Sequence, residues 1–374
     1  MALKVGIVGM RGIGNTHGDA HQADELANLV AVCDVVKEPA DEAAEKYGCK
    51  AYYSLADMLA NEDLDIVDVC TGGLENGSWH YSPVMEALAA GKHVLCEKPL
   101  SHDIEEGREM VAMADEMGVY FGVNLNHYFT EVAARAKQYI DEGQVGEQIY
   151  CLHKMGFNGG EPPEHSAPQA LRTKGMPYFH VKAFLAHPFS VMRYFCGDIT
   201  HVQAFCSRPG FRRRAGELLL STLSIHVRFQ NDAAGYLLSQ RGDAAYGLGG
   251  WWSVEVAGTQ GTFCIENCIE KLSYWQAPAA APDTQNLAGL GSAGEPDVMD
   301  TGISDFSETF PRRIHAFLED VTNGVDRDYL RGSGRDALAT LEYTWAVIES
   351  YEQGGVMVRP QPLPPLHADP TKSA

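Results

Sequence analysis

Positive charge is what this sequence has least of: 29 lysines and arginines stand against 50 aspartates and glutamates, a formal net charge of −21. Such a chain is repelled as a whole by nucleic-acid phosphates and by an anionic membrane surface. A small neutral or cationic ligand is the easier partner, although a local basic pocket can still hold an anion. Long apolar runs are missing too: none approaches the ~20 residues of a membrane span. The first residues enter a strand pattern at once, without a basic segment, apolar stretch and cleavage site, so the cytoplasm is the expected compartment. Paired metal-type spacings are also absent. The nine cysteines form an odd, scattered set, of which Cys33, Cys70 and Cys96 fall in apolar runs as small core residues. Cys264 and Cys268 have neither a matching pair nor a histidine cluster, so neither a disulfide framework nor a metal is expected.

A chain of 374 residues, 45% of them hydrophobic, exceeds what one core usually covers, and two domains are expected, 1–125 and 126–374. Leu3 to Gly9 is a short apolar strand, followed at once by Gly9-Met10-Arg11-Gly12-Ile13-Gly14 and a helix pattern from about Asn15 to Leu26. Strand, glycine turn and helix in that order form the context in which backbone N–H groups hold a pyrophosphate. Arg11 stands where the fingerprint has its second glycine, and it can add charge toward the phosphates. Asn28 to Asp34 is a second strand, ending in a carboxylate twenty residues beyond Gly14. An acid there accepts from the adenosine ribose hydroxyls and repels a 2′-phosphate, which favours NAD over NADP, with Lys37 as a partial offset. The alternative for Asp34 is a turn residue or helix cap.

Strand and helix patterns keep alternating. Helices span Glu38 to Tyr47, Leu55 to Ala60, Ser82 to Ala90 and Ile104 to Met117, with strands at Ala51 to Tyr53, Asp65 to Cys70, Lys92 to Cys96 and Val119 to Val123. The reading is an α/β fold with an N-terminal doubly wound parallel Rossmann sheet. Strand five ends in Glu97-Lys98-Pro99, and ligands of such sheets lie beyond the carboxyl ends of the strands. From Gln148 the pattern changes to strands at Gln148 to Lys154, Ile199 to Cys206, Leu218 to Phe229, Ala233 to Gln240 and Trp252 to Ala257. This implies a C-terminal α+β domain with an open mixed or antiparallel sheet. The glycine-rich 242–250 reads as a loop, 277–305 as a long excursion or lid, with disorder as the alternative. Arg312 to Asn323 and Gly334 to Tyr351 read as closing helices.

The ordered set Gly9 to Gly14, Asp34, Thr71, His80, Gly91-Lys92-His93-Val94, Glu97-Lys98-Pro99 and Asn126 resembles the Gfo/Idh/MocA oxidoreductases, the glucose-fructose oxidoreductase and inositol dehydrogenase family, over nearly the whole chain. The resemblance implies NAD held by Gly9, Arg11, Gly12, Ile13, Gly14, Asp34, Thr71, Gly72, His80, Glu97, Lys98 and Asn126. Lys98 then contacts substrate and nicotinamide ribose, Glu97 lies by the nicotinamide, and the Lys98–Pro99 bond is expected to be cis. His187, ten residues before Gly197 on a helix read as Val181 to Cys196, matches the family's acid/base histidine. Its usual flanking aspartates are here Ala183 and Ser190. His180, seven residues ahead and two turns along that helix if it begins that early, is a candidate substitute, with a merely packed histidine as the favoured alternative and Lys182 as a second candidate. Tyr128 stands where many relatives have arginine and is expected to touch substrate. Hydride transfer between a secondary alcohol of a sugar, cyclitol or glycoside and the nicotinamide follows, with a redox glycosidase or glycoside 3-oxidase, or a non-catalytic NAD sensor or scaffold, as alternatives. A homo-oligomer, dimer or tetramer, is expected through the second sheet.

Overall fold

The computed structural model describes residues 2–73, 75–157, 177–210, 213, 218–241, 249–277 and 294–366. Most of the glycine-rich stretch (242–248), much of the long excursion (278–293) and the end of the tail (367–374) lie outside them.

The first unit is a run of βα repeats: β1 (Leu3–Val8), α1 (Ile13–Ala23), β2 (Ala27–Cys33), α2 (Lys37–Tyr47), β3 (Lys50–Tyr52), α3 (Leu55–Asn61), β4 (Ile66–Val69), α4 (Tyr81–Ala89), β5 (His93–Cys96), α5 (Ile104–Met117) and β6 (Phe121–Val123). All six strands are parallel, in the order β3-β2-β1-β4-β5-β6. The order reverses between β1 and β4, and a doubly wound sheet opens its ligand crevice at such a reversal. Helix starts are written locally: Ser54 accepts from Asp57 N, and Asp103 accepts from the N–H groups of Glu105 and Glu106. Left-handed Gly48 and Gly118 close α2 and α5, as C-terminal glycines do.

A short turn, Asn126–Tyr128, leads to α6 (Glu131–Asp141) and the second unit. This comprises β7 (Gln148–Phe157), α7 (Phe179–Phe184), α8 (Ala186–Cys196), β8 (Ile199–Ser207), β9 (Thr222–Phe229), β10 (Ala234–Arg241), β11 (Trp252–Gly258), β12 (Gly261–Glu266), β13 (Lys271–Gln276) and β14 (Asp297–Asp300). The eight strands run β14-β13-β12-β11-β7-β10-β9-β8. Only β7 and β10 pair in parallel, so the sheet is mixed. Its buried face, with Val254, Val256, Phe263, Ile265, Ile225 and Leu237, packs with Phe189, Met192 and Val347 in one core.

Three departures from the sequence reading have physical causes. The helix read as Val181 to Cys196 is two helices, broken at Leu185. Pro188 has no N–H for the Phe184 carbonyl and its ring would collide with it, so it is tolerated only in the first turn of a new helix. Strands β12 and β13 were not anticipated; their connection turns through left-handed Asn267 and Cys268, residues without the glycine signature of a tight turn. The 277–305 excursion contains β14, an acidic four-residue strand held antiparallel on β13.

The closing helices return to the first unit. In α9 (Thr309–Asn323), Ile314, Phe317 and Leu318 pack with Val5, Ile7 and Leu95. Arg313, fully buried, donates from Nε to the Val123 carbonyl and from Nη2 to that of Gly332. Helix α10 (Gly334–Glu352) opens on a Ser333/Asp336 capping box; its Ala337, Leu338 and Leu341 face the first core, Tyr343, Ala346 and Val347 the second.

Candidate active site

The glycine turn is shaped for close approach. Gly9 (φ 93°) and Gly12 (φ 47°) are left-handed, a conformation that costs glycine little. A Cβ on Gly14 would stand 1.9 Å from the Gly9 carbonyl oxygen. Gly12 opens α1 with no side-chain cap, which leaves the helix N-terminus to an anion. Arg11 is exposed on the turn. The Asp34 carboxylate accepts from Met10 N at 3.0 Å and from Val36 N at 2.9 Å. It therefore pins the turn, and each oxygen keeps a lone pair for a ribose hydroxyl. Lys37 lies 4.8 Å from the centroid of the Tyr53 ring. A dinucleotide fits these groups: a cradle a Cβ would fill, an open helix end and a carboxylate at the end of β2. Replacing Asp34 by Ala is expected to weaken NAD about tenfold or more, narrow its advantage over NADP, and lower the melting temperature by loosening Met10 and Val36. Calorimetry with both nucleotides and a thermal melt check this; equal wild-type affinity for the two would remove Asp34 from cofactor choice.

Beyond the strand ends lies a cavity of about 320 Å³. Ile13 of α1, Cys70, Thr71, Gly72, Asn76 and His80 after β4, Glu97 and Lys98 after β5, Asn124, Asn126 and His127 after β6, His187 of α8, and Phe184, Phe306 and Phe310 line it. Sequence-predicted residues from five segments thus converge. His80 Nδ1 lies 2.8 Å from the Pro99 carbonyl oxygen, and the Lys98–Pro99 bond is cis. Asn126 donates to Thr309 Oγ1 at 2.7 Å, tying α9 to the cavity wall. Lys98 Nζ lies 5.3 Å from the centroid of the Phe184 ring. Desolvation lowers its pKa and Arg241 adds to this, while Glu97 opposes both.

Three candidates are placed elsewhere. His180 sits on α7 with Nε2 3.2 Å from Ser239 Oγ on β10, and it does not line the cavity. The break at Leu185 removes the shared helical face on which its expected role depended. Tyr128 stacks on Tyr194, centroids 4.6 Å apart. Lys182 pairs with Glu75 at 3.2 Å and lies 5.0 Å over the Trp345 ring. Neither is part of the cavity lining. Ala183 is buried and apolar, and the Ser190 hydroxyl donates to the His187 carbonyl in its own helix. Neither position supplies a carboxylate.

Sequence reasoning missed a buried ionic network beneath Glu97. His17 bridges Asp68 Oδ2 (Nδ1, 2.8 Å) and Glu97 Oε1 (Nε2, 3.0 Å). His21 reaches the same Asp68 oxygen at 2.8 Å, and Asn124 Nδ2 donates to Glu97 Oε1. All five side chains are buried. Burial, the largest single influence, would strip the His17 proton, but the Asp68 charge and hydrogen bond together with Cys70 outweigh it and hold the pKa well above the usual 6.5. Burial would likewise raise both carboxyls, and the imidazoles, with Lys98 and Asn124 at Glu97, hold both below the ordinary range. His17, Asp68 and Cys70 stand close enough to suggest a metal. Yet both His17 nitrogens are engaged, and burial, with Asp68, pushes the Cys70 thiol up to about 12. The signal lay in the sequence: His17 and His21 are one helical turn apart, and Asp68 interrupts an apolar strand. His127 was missed as well; its ring lies flat on that of His187, centroids 3.7 Å apart and 14° from parallel.

Two family models match the chain: the oxidoreductase family with an NAD-binding Rossmann fold over residues 3–125, and the GFO/IDH/MocA C-terminal domain over residues 133–264. Inositol 2-dehydrogenase of Rhizobium meliloti (strain 1021) is 23% identical over 94% of this chain and 97% of its own. Myo-inositol 2-dehydrogenase of Thermotoga maritima is 26% identical over 72% of this chain and 76% of its own. Among solved structures, a levoglucosan dehydrogenase in complex with NADH and levoglucosan superposes with a TM-score of 0.80 at 21% identity, over 96% of this chain and all of the other. With an NAD-binding domain and the matching C-terminal domain along one chain, this protein belongs to the GFO/IDH/MocA oxidoreductases.

Proposed function

We propose that the protein is an NAD-dependent dehydrogenase that oxidises a secondary alcohol of an uncharged ring polyol, a sugar, cyclitol or glycoside. The observation that carries this reading is the convergence of an amine, Lys98, and an imidazole, His187, in one cavity at the sheet's ligand-binding end. Relatives named for inositol and levoglucosan favour a ring polyol. So does the lining: Phe184, Phe306 and Phe310 offer apolar faces to ring C–H groups, and among the described residues Glu97 is its only carboxylate.

NAD⁺, which the Gly9–Gly14 turn and Asp34 would hold, would supply the acceptor for the hydride, the C–H electron pair leaving with it. The residues manage the other half. The hydroxyl proton passes to His187 as the carbonyl forms, and the Lys98 ammonium stabilises the developing alkoxide. Burial first, then His127 and Lys98, push the His187 pKa well below 6.5, so the ring is neutral and able to accept a proton at physiological pH. Glu97, locked by His17 and Asn124, fixes the negative charge beside Lys98.

The test is a screen of sugars, inositols, anhydrosugars and aryl glycosides with NAD⁺, following NADH absorbance and analysing products. A polyol-dependent NADH signal with a keto product is expected. Net glycoside cleavage without NADH accumulation would point to a redox glycosidase instead. NAD binding with no turnover on any substrate would leave a sensor or scaffold. Oligomerisation through the second sheet, whose Leu152 and Phe205 are exposed, belongs to the same proposal, with sedimentation as its check.

A further inference from the structure

The ring stacked on His187 belongs to His127, and its chemistry is constrained on every side. Trp252, itself buried, donates from Nε1 to His127 Nδ1 at 3.1 Å. An indole N–H can only donate, so His127 Nδ1 must be the acceptor and the ring proton must sit on Nε2. Nε2 makes no hydrogen bond among the described residues, and His127 lines the cavity. His187 is the mirror case: its Nδ1 is buried without a partner among the described residues, which leaves Nε2 as its working atom.

Protonating His127 would need a second N–H at Nδ1, aimed at the indole N–H, and the Trp252 bond would be lost. Its surroundings oppose the charge too: Lys98 after β5, His153 on β7 and His187 on α8 are all basic, with Glu97 beyond Lys98, and Trp251, Trp252 and Phe306 enclose the ring. Two stacked imidazoles 3.7 Å apart do not both take a proton. The pair therefore divides its labour: one ring donates, the other accepts.

We propose that His127 is a second substrate-contacting residue, which donates a hydrogen bond from Nε2 to a hydroxyl on the carbon next to the one oxidised, while His187 alone accepts the released proton. The inference rests on the dehydrogenase reading and deepens it: the preferred substrate carries a vicinal diol. The Trp252 indole is the positioning group, because it fixes the tautomer.

Two variants and one spectrum test this. His127→Phe keeps a flat ring against His187 but removes the donor. KM for the best polyol of the screen should rise about tenfold, with the NADH dissociation constant unchanged, and a 2-deoxy or O-methyl analogue lacking the vicinal hydroxyl should lose its disadvantage. Trp252→Phe frees Nδ1, so protonation of either ring then shuts the site. The acid limb of kcat/KM should move up from below pH 6.5 toward an ordinary histidine value, a change that loss of packing alone would not produce. In ¹⁵N-histidine spectra of the NAD-bound protein, which need no substrate, His127 should stay neutral and Nε2-protonated from pH 8 to about 5.5 and titrate in Trp252→Phe. Failure of every polyol to reduce NAD would sink the dehydrogenase reading. A wild-type His127 that titrates normally, or variants with unchanged KM and pH profile, would overturn this inference while leaving that reading in place.

Discussion

Lys98→Met is expected to lower the rate of hydride transfer by a hundredfold or more while NAD affinity changes little. The ammonium lies in the cavity beside Glu97 and over the Phe184 ring, where it interacts more strongly with an alkoxide than with a neutral alcohol. Its loss is therefore felt in the transition state, and one preorganised donor is typically worth about 10²–10³ in rate. Methionine keeps an unbranched chain of similar reach. Glu97 is not orphaned by the change, since His17 and Asn124 still hold it, so the variant should fold. The groups proposed to grip NAD, the glycine turn and Asp34, lie elsewhere. Single-turnover transfer beside an NAD titration separates the two effects. A folded Lys98→Met protein with wild-type transfer rates would take this residue out of the mechanism.

The second large effect is on stability. Asp68→Ala removes the acceptor shared by His17 and His21 and leaves a buried imidazolium with only Glu97, a loss of roughly 3–5 kcal/mol for a broken buried pair. Its pH dependence follows from the directions of the shifts. His17 has a raised pKa, so its contribution is complete below the unfolded value near 6.5 and fades as pH climbs toward the folded value. Asp68 has a lowered one, so its contribution is present above the unfolded value near 3.9 and is lost as pH falls. The difference between wild type and variant should thus be largest between about pH 4 and 6.5 and shrink in alkali. Denaturant unfolding across that range checks it. A flat difference at all pH values would mean that the cost is packing, not charge.

The contrast between these residues shows what the sequence could carry. Gly9 to Gly14, Asp34 and Glu97-Lys98-Pro99 are legible because each works through local geometry: a turn, a strand end, a fixed number of residues between them. The doubly wound order follows from the alternation of patterns for the same reason. Asp68 is visible as an interruption of an apolar strand, but standing between Val67 and Val69 it looks like the solvent side of that strand. In a parallel sheet both faces are covered, and its partners are 47 and 51 residues away. His127 lay between two residues that were singled out, Asn126 and Tyr128, but its meaning depends on Trp252, 125 residues on. His180 was over-read because its spacing from His187 assumes a continuous helix across Leu185, where the two helices part ahead of Pro188, which cannot bond the Phe184 carbonyl. The second sheet was partly legible: alternation marked β7 to β11, whereas β12 to β14 depend on one another for their edges.

The way α9 and α10 close over the first sheet bears on the order in which the chain comes together during synthesis. The nucleotide-binding strands are complete once Val123 has been made, yet the Val123 carbonyl and N–H wait for Arg313 and Gly332, and the apolar faces around Ile7 and Leu95 wait for Phe317 and Leu318. Some two hundred residues must be added in the interval, roughly 10–40 s at ribosomal speed. Through that time the first unit carries an uncovered apolar face and an open sheet edge beside the nascent second unit. The last helices therefore act as a latch on the first strands, and a ribosome stalled anywhere before them leaves a nucleotide-binding half that is exposed to chaperones, to proteases and to other copies of itself.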